Sequence, residues 1–213
     1  MPVLRLYNDK GKEDKHEKIV LPFLAAIICL STIVPAAAAA PTIQHGSYSG
    51  DVWDLQFRLQ ILDYYRQPLD GVFGSNTTQA VKRFQQDYGL RVDGIVGSQT
   101  WQALKRVSVN ADELTMLART VYSEARGEPY TGQVAVAAVV MNRLKSPDFP
   151  NTVAGVIFQP LAFTAVDDGQ YWLEPDSTAY AAAWEAVRGW DPTGGALYYF
   201  NPVTATSKWI WSR

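Results

Sequence analysis

From Asp51 onward, apolar residues recur at helical spacing. Val52, Leu55, Leu59 and Leu62 form the stripe of an amphipathic helix expected to end near Tyr65, ahead of Pro68. Beyond it the pattern repeats. LDGVFGSNTTQAV (Leu69 to Val81) and VDGIVGSQTWQAL (Val92 to Leu104) align at a constant offset of 23 residues, sharing Asp-Gly, a second glycine, Ser, Thr, Gln and Ala. Such a repeat means one local structure used twice. Each copy predicts a turn at Asp-Gly, a second glycine that frees the backbone, and a helix capped by Ser75 or Ser98. The first of these helices is expected to bury Ala80, Val81, Phe84 and Tyr88, and the second Trp101 and Leu104. Together with the opening helix they make a small three-helix bundle around one core.

VSVNADE then separates this bundle from a second fold, whose first helix is announced by Asn110 and, three residues on, Glu113. Leu114, Leu117, Ala118, Val121 and Ala125 form its apolar stripe. Glu124 lies seven positions after Leu117, only about 20° away around the axis, and so falls on the buried face. Gly127 and Pro129 end the helix within a turn of it. Helix-terminal carbonyls and apolar burial both disfavour a negative charge there, which predicts a raised pKa and a carboxylic acid able to donate a proton near neutral pH. The competing reading is a structural acid held by Arg119, Arg126 or backbone amides. Glu128, beside the break, reads as a local turn residue or one that supports the site from behind. The next helix is expected to start around Thr131 or Gly132 and run through VAVAAVVMNR, apolar nearly all round. Its apolar run of about eight residues is too short to span a membrane and suits the centre of a core. Asn142 and Arg143 end it, and are expected first to cap it, otherwise to pair with Glu128 or face substrate.

Downstream, FPNTVAGVIFQP predicts a short helix capped by Asn151, and AFTAVDDGQYWL a hairpin or loop turning at Asp168-Gly169. PDSTAYAAAWEAVRGW predicts a helix capped by Asp176 or Ser177, burying Tyr180, Trp184 and Val187 and stopping at Gly189. The last stretch, ALYYFNPVTATSKWIWSR, reads as two short strands about an Asn201-Pro202 turn, with Trp209 and Trp211 on one face. Aromatics crowd this third of the chain. Stacked rings with polar edges suit sugars, whose C–H faces are apolar and whose hydroxyls need hydrogen bonds, although aromatics in a small domain also serve as core.

Composition narrows the chemistry. At 213 residues and 47% hydrophobic, the chain is globular and long enough for two small domains. A formal charge of −2 offers no general attraction to nucleic acid. Residues 1–18 are polar and charged, 19–34 apolar, and PAAAAAP supplies a cleavage site around Ala38 to Ala40, the layout of an export signal, or of an uncleaved membrane anchor. Either way the rest of the chain is expected outside the cytoplasm. The single cysteine, Cys29, lies in that apolar run, and both histidines, His16 and His45, precede the first helix. No zinc site, Ser-His-Asp triad or Cys-His nucleophile can therefore be assembled after residue 45, so neither metal nor cofactor is expected, and an amidase or peptidase is disfavoured. A Ser-Lys pair using Lys145 or Lys208 has no recognisable nucleophile motif. Chemistry must rest mainly on carboxylates.

The doubled DGxxGxxT element in 51–107 resembles the peptidoglycan-binding domain carried by many cell-wall enzymes. EARGEPYTGQVAVAAVVMNR, FPNTVAGVIFQPLAFTAVDDGQ, WDPTGGALYYFNP and TATSKWIW resemble the catalytic domain of the spore cortex-lytic enzyme family, the SleB-type cell-wall hydrolases. The domain plan expected is a signal or anchor over 1–40, linkers at 41–50 and 108–112, a peptidoglycan-binding domain at 51–107 and a catalytic domain at 113–213. The resemblance implies a mainly α fold with a small β part, in which the binding bundle precedes a lysozyme-like or lytic-transglycosylase-like α+β catalytic domain. It also implies cleavage of peptidoglycan glycan strands in the spore cortex, with Glu124 as the catalytic acid. Glu124 would protonate the glycosidic oxygen and the muramic acid's own 6-hydroxyl would attack the anomeric carbon, a route that needs one carboxylate. Hydrolysis would need a second carboxylate, roughly 5 to 5.5 Å away for retention or 6.5 to 9.5 Å for inversion, with Glu128, Asp167, Asp168, Glu174 and Asp191 as candidates. Further candidates for contacting substrate or supporting the site are Glu128, Gln133, Asn142, Gln159, Phe163, Thr164, Trp172, Tyr199, Asn201 and Trp211. A monomer is expected, and relatives are expected to continue somewhat past WIWSR. The alternatives are a hydrolytic muramidase or glucosaminidase, and a wall-binding protein without turnover.

Overall fold

A computed structural model describes residues 5–7 and 41–200 of the chain. Its first hydrophobic core is organised by two buried glutamines. Helix α1 (Gly50–Ile61) buries Val52, Leu55 and Leu59 and, on the same side, Gln56. The Gln56 amide accepts from the main-chain N–H groups of Asp70 (3.1 Å) and Gly71 (3.0 Å), and donates toward Asp70 Oδ1 (2.8 Å), the Val72 carbonyl (3.1 Å) and Thr77 Oγ1 (3.2 Å). Helix α2 (Ser75–Asp87) repeats the device with Gln85, which accepts from Gly94 N–H (2.9 Å) and donates toward Asp93 Oδ1, the Ile95 carbonyl and Thr100 Oγ1 beside helix α3 (Ser98–Val107). In each copy a buried side-chain amide satisfies a turn that no backbone ladder could satisfy.

Three details differ from the sequence expectation. Helix α1 stops at Ile61, not near Tyr65, because Asp63 takes a left-handed φ of 68°. Ser75 and Ser98 are the first helical residues rather than the caps. The cap positions belong to Gly74 and Gly97, whose extended backbone needs no glycine, and the left-handed residue of each copy is instead Gly71 or Gly94. Tyr88 is not buried by α2; it follows the helix, 41% exposed, with its ring stacked on Phe84 at 4.4 Å. Residues ahead of α1 also join this region, since Ile43 pairs with Val96 and is buried in the core.

A second core gathers around helix α5 (Tyr130–Lys145), buried on nearly every side from Gln133 to Leu144. Helix α4 (Ala111–Ala125) packs beside it, started by a capping box in which Asn110 Oδ1 accepts from Glu113 N–H (2.7 Å) and Glu113 accepts from Asn110 N–H (2.8 Å). Helix α8 (Ser177–Val187), capped by Asp176, lies against both. The face it buries consists of Ala179, Ala182, Ala183, Ala186 and Val187, while Tyr180 and Trp184 sit half-buried at its flanks rather than in the core as expected. Between these lie helix α6 (Val153–Ile157), helix α7 (Thr164–Asp167) and a 3-10 turn at Gln170–Trp172. Thr152, not Asn151, caps α6 through Gly155 N–H. The chain turns at Asp168-Gly169 as expected, but as a loop rather than a hairpin: Gly169, at φ 82°, joins two helical turns.

Strand β1 (Arg5–Tyr7) pairs antiparallel with strand β2 (Tyr198–Phe200), Leu6 opposite Tyr199. The fold is mainly helical with this small sheet. The apolar run expected to be an export signal or anchor, and the second of the two expected C-terminal strands, fall outside the described residues. Among the described residues, no helix is long and apolar enough to cross a membrane.

The two cores meet at Arg58. This residue, 1% exposed, donates to Asp54 (3.0 Å), to the Ser108 carbonyl (3.1 Å) and to Glu113 (2.9 Å), so a guanidinium from the first helix engages the capping box of α4. Ile61, the last residue of α1, belongs to the second core.

Candidate active site

The last turn of α4 carries Glu124, half-buried, as the phase of the Leu114 to Ala125 stripe requires. Its Oε1 accepts from Ala165 N–H at 2.9 Å, and Thr164 Oγ1 lies 3.5 Å from both carboxylate oxygens. The Tyr199 hydroxyl also hydrogen-bonds to Glu124. Burial first, and then the neighbouring Glu124, push the Tyr199 phenol well above its usual range, so it is a donor at any physiological pH. The carboxylate is thus fixed by a main-chain amide and two hydroxyls. Neither arginine proposed as its holder is involved: Arg119 pairs with Glu174 at 3.5 Å, and Arg126 donates to Gln170 at 2.7 Å. Among the described residues, no carboxylate hydrogen-bonds to Glu124.

Tyr199 reaches this position through the end of α5. Asn142 and Arg143 neither cap the helix nor pair with Glu128; they hold the loop 191–197 that leads into β2. Asn142 Nδ2 donates to Asp191 Oδ2 (3.0 Å) and the Ala196 carbonyl (3.1 Å), and Arg143 Nε donates to the Leu197 carbonyl (2.7 Å). The Arg143 guanidinium is enclosed by the rings of Phe149, Phe163 and Tyr198 at 5.1 to 5.5 Å, and its burial pushes its pKa down. Phe163, 3% exposed, packs on to Tyr199 at 6.0 Å. A ring, a cation and a loop therefore set the Tyr199 hydroxyl against Glu124.

The other candidates divide. Glu128 contributes main-chain bonds to the turn, its carbonyl accepting from Gln133 Nε2 at 3.2 Å, so Gln133 is a buried strut. Gln159 is exposed on the loop after α6. Trp172 is 65% exposed, with its ring parallel to that of Phe158 at 6.4 Å and edge-on to the buried Tyr171 at 5.1 Å. Asn201 and Trp211 lie outside the described residues. Of the acids considered as a second carboxylate, Asp191 accepts from Thr193, Asn142 and Gly195, Asp168 is exposed and accepts from Gln170, Glu174 is exposed and pairs with Arg119 at 3.5 Å, and Asp167 is exposed at the end of α7. Two parts of the site escaped sequence reasoning. The Ala165 amide has no side-chain signature at all. The Asp191 loop did have one, since Asp-Pro-Thr-Gly-Gly is turn-forming sequence.

Residues 48–104 match the family model of a peptidoglycan binding domain, and residues 127–213 match that of the Cell Wall Hydrolase family. The second match begins three residues after Glu124. A helical binding module followed by a wall-degrading domain defines an enzyme that acts on peptidoglycan. The spore cortex-lytic enzyme of Bacillus cereus is 42% identical over 92% of this chain and 91% of its own length, and that of Oceanobacillus iheyensis 42% identical over 80% and 82%. The solved catalytic domain of the Bacillus cereus SleB protein is 62% identical, covering 50% of this chain and 83% of its own, with a TM-score of 0.48. The chain belongs to the spore cortex-lytic enzyme family.

Proposed function

We propose that this enzyme is a lytic transglycosylase of cortex glycan strands, exported to the wall, with Glu124 as acid and then base. The binding domain is assigned to 51–107 and a lysozyme-like α+β catalytic domain to 113–213. The Glu124 carboxyl gives its proton to the glycosidic oxygen as the bond from that oxygen to the muramic anomeric carbon breaks. The muramic 6-hydroxyl oxygen then bonds to that carbon and its proton returns to Glu124, leaving a 1,6-anhydro end and a free 4-hydroxyl on the departing sugar. No water and no second carboxylate is consumed. The observation that carries this reading is a half-buried Glu124 whose hydrogen-bond partners are an amide and hydroxyls, none of them acidic. Trp172 on Phe158 offers an exposed ring face for a sugar.

The test is digestion of muramic-lactam-containing peptidoglycan by the wild type and Glu124→Gln side by side. General acid-base catalysis is worth about 10²- to 10⁴-fold, and release should fall by that factor. Mass spectrometry should find products one water lighter than the reducing-end sugars. Undiminished release from the variant removes Glu124 from the mechanism, and reducing ends from the wild type replace transglycosylation by hydrolysis.

A further inference from the structure

The two copies of the repeat carry the same polar face and use it differently. On α2, Asn76, Gln79 and Arg83 stand at i, i+3 and i+7, one side of the helix, and the offset of 23 residues brings Gln99, Gln102 and Arg106 to the matching positions on α3. In the first copy the segment after α1 folds over this face. Asp63, Arg66 and Gln67 join Asn76, Gln79 and Arg83 around a single cavity of about 440 Å³, within the range of small-ligand sites. In the second copy the connection from α2 to the Asp-Gly turn is shorter, residues 88–92 against 62–69, and its Leu90 and Arg91 wall only a smaller recess of about 260 Å³ that takes in Gln99 but neither Gln102 nor Arg106. Gln99 and Gln102 line a recess with Trp101 and Lys105, while Arg106 faces a different one, beside the end of α5.

The chemistry of the first cavity is specific. Among the described residues, the side-chain amides of Gln67, Asn76 and Gln79 make no hydrogen bond, and Arg83 donates to the Tyr64 carbonyl but pairs with no carboxylate. Arg66, by contrast, is engaged by Asp63 at 3.0 Å. Three free amides and a cation match a chain of peptide bonds bearing a carboxylate. They do not match a sugar ring seeking an aromatic face, because Tyr65 is buried and Tyr64 is edge-on to Phe84 at 5.6 Å.

We propose that the cavity between residues 63–67 and the Asn76, Gln79 and Arg83 face of α2 binds the carboxylate-bearing peptide stem of peptidoglycan, and that the second copy of the repeat does not. The first copy then recognises stems while the second serves as scaffold against the rest of the enzyme.

The test uses the full chain and a synthetic N-acetylmuramyl pentapeptide, which contains no glycosidic linkage between sugars, so the outcome is independent of the role of Glu124. The muramyl peptide should shift the side-chain amide NMR signals of Asn76 and Gln79. Asn76→Ala with Gln79→Ala should weaken its binding by about tenfold or more, and Gln99→Ala with Gln102→Ala by less than about twofold. All four residues are exposed, and unchanged thermal unfolding verifies that the variants fold. Three results overturn the proposal: no binding of the muramyl peptide, comparable losses from the two double variants, or equally tight binding of a peptide-free N-acetylglucosamine oligomer.

Discussion

The binding region and the catalytic region are both helical bundles, yet their polar groups are satisfied over very different spans of chain. Gln56 and Gln85 complete their networks with residues 8 to 21 positions away. Glu124 meets Ala165 41 positions on, and Asn142 and Arg143 reach 49 to 54 positions to hold the loop before β2. A structure closed locally can be duplicated as a contiguous motif, which is why the first region carries a visible repeat. A site closed at long range is written in packing, and only its helix phase survives in the sequence.

The sharpest way to break this comparison is at Arg58, where the regions join. Arg58→Ala removes the cation from between Asp54, the Ser108 carbonyl and the α4 capping box. Glu113 and Asp54 keep 25% and 28% side-chain exposure, so the expected cost is about 3 kcal/mol, the low end for breaking a buried pair. Denaturant unfolding followed by tryptophan fluorescence should move from one transition toward two. If the variant still unfolds in a single transition of wild-type midpoint, Arg58 does not couple the regions.

Within the binding region, the two glutamines compare one copy with the other. Gln56→Leu leaves the N–H groups of Asp70 and Gly71 without their acceptor, whereas Gln85→Leu strands the N–H of Gly94. Unpaired buried donors cost about 1–3 kcal/mol each. The Asp70 N–H is only part-buried, so water can still reach it. On the lower part of that range, Gln56→Leu should lose about 2–3 kcal/mol and Gln85→Leu about 1–2 kcal/mol in chemical denaturation. A reversed order would show that the turns are held by their Asp-Gly sequence rather than by the amides.

The same contrast explains what could be read in advance. Helices α2 to α5 and α8, the capping box at Asn110 and the place of Glu124 near the end of α4 followed from spacing and caps. The repeat also announced its turns, but not the buried amides, because a glutamine looks like surface until its partners are known. Asn142 and Arg143 looked like helix-end polar residues for the same reason. Tyr180 and Trp184 share a helical stripe with Val187, but the small face of alanines is what lets α8 approach α4 and α5 closely. The Ala165 amide could not be found from any residue type.

The smallest effect expected tests whether the long-range closure of the catalytic region is electrostatic. Burial pushes the Asp191 carboxyl up, but donation from Thr193 Oγ1, Asn142 Nδ2 and the N–H groups of Thr193 and Gly195 outweighs it and leaves the pKa below the ordinary carboxylate value. A depressed folded pKa means that the contribution is fully present above the unfolded value of about 3.9 and is lost as pH falls through the folded value. Asp191→Asn should therefore lower stability near neutral pH by about 1 kcal/mol, as expected for charge-assisted bonds at a partly exposed site. The difference from wild type should shrink only at acid pH, below about 4. Because the 191–197 loop delivers Tyr199 to Glu124, turnover near neutral pH should fall with it. A stability difference that stays constant down to acid pH would assign Asp191 a purely steric role in shaping the loop, and the closure would then rest on Asn142 and Arg143.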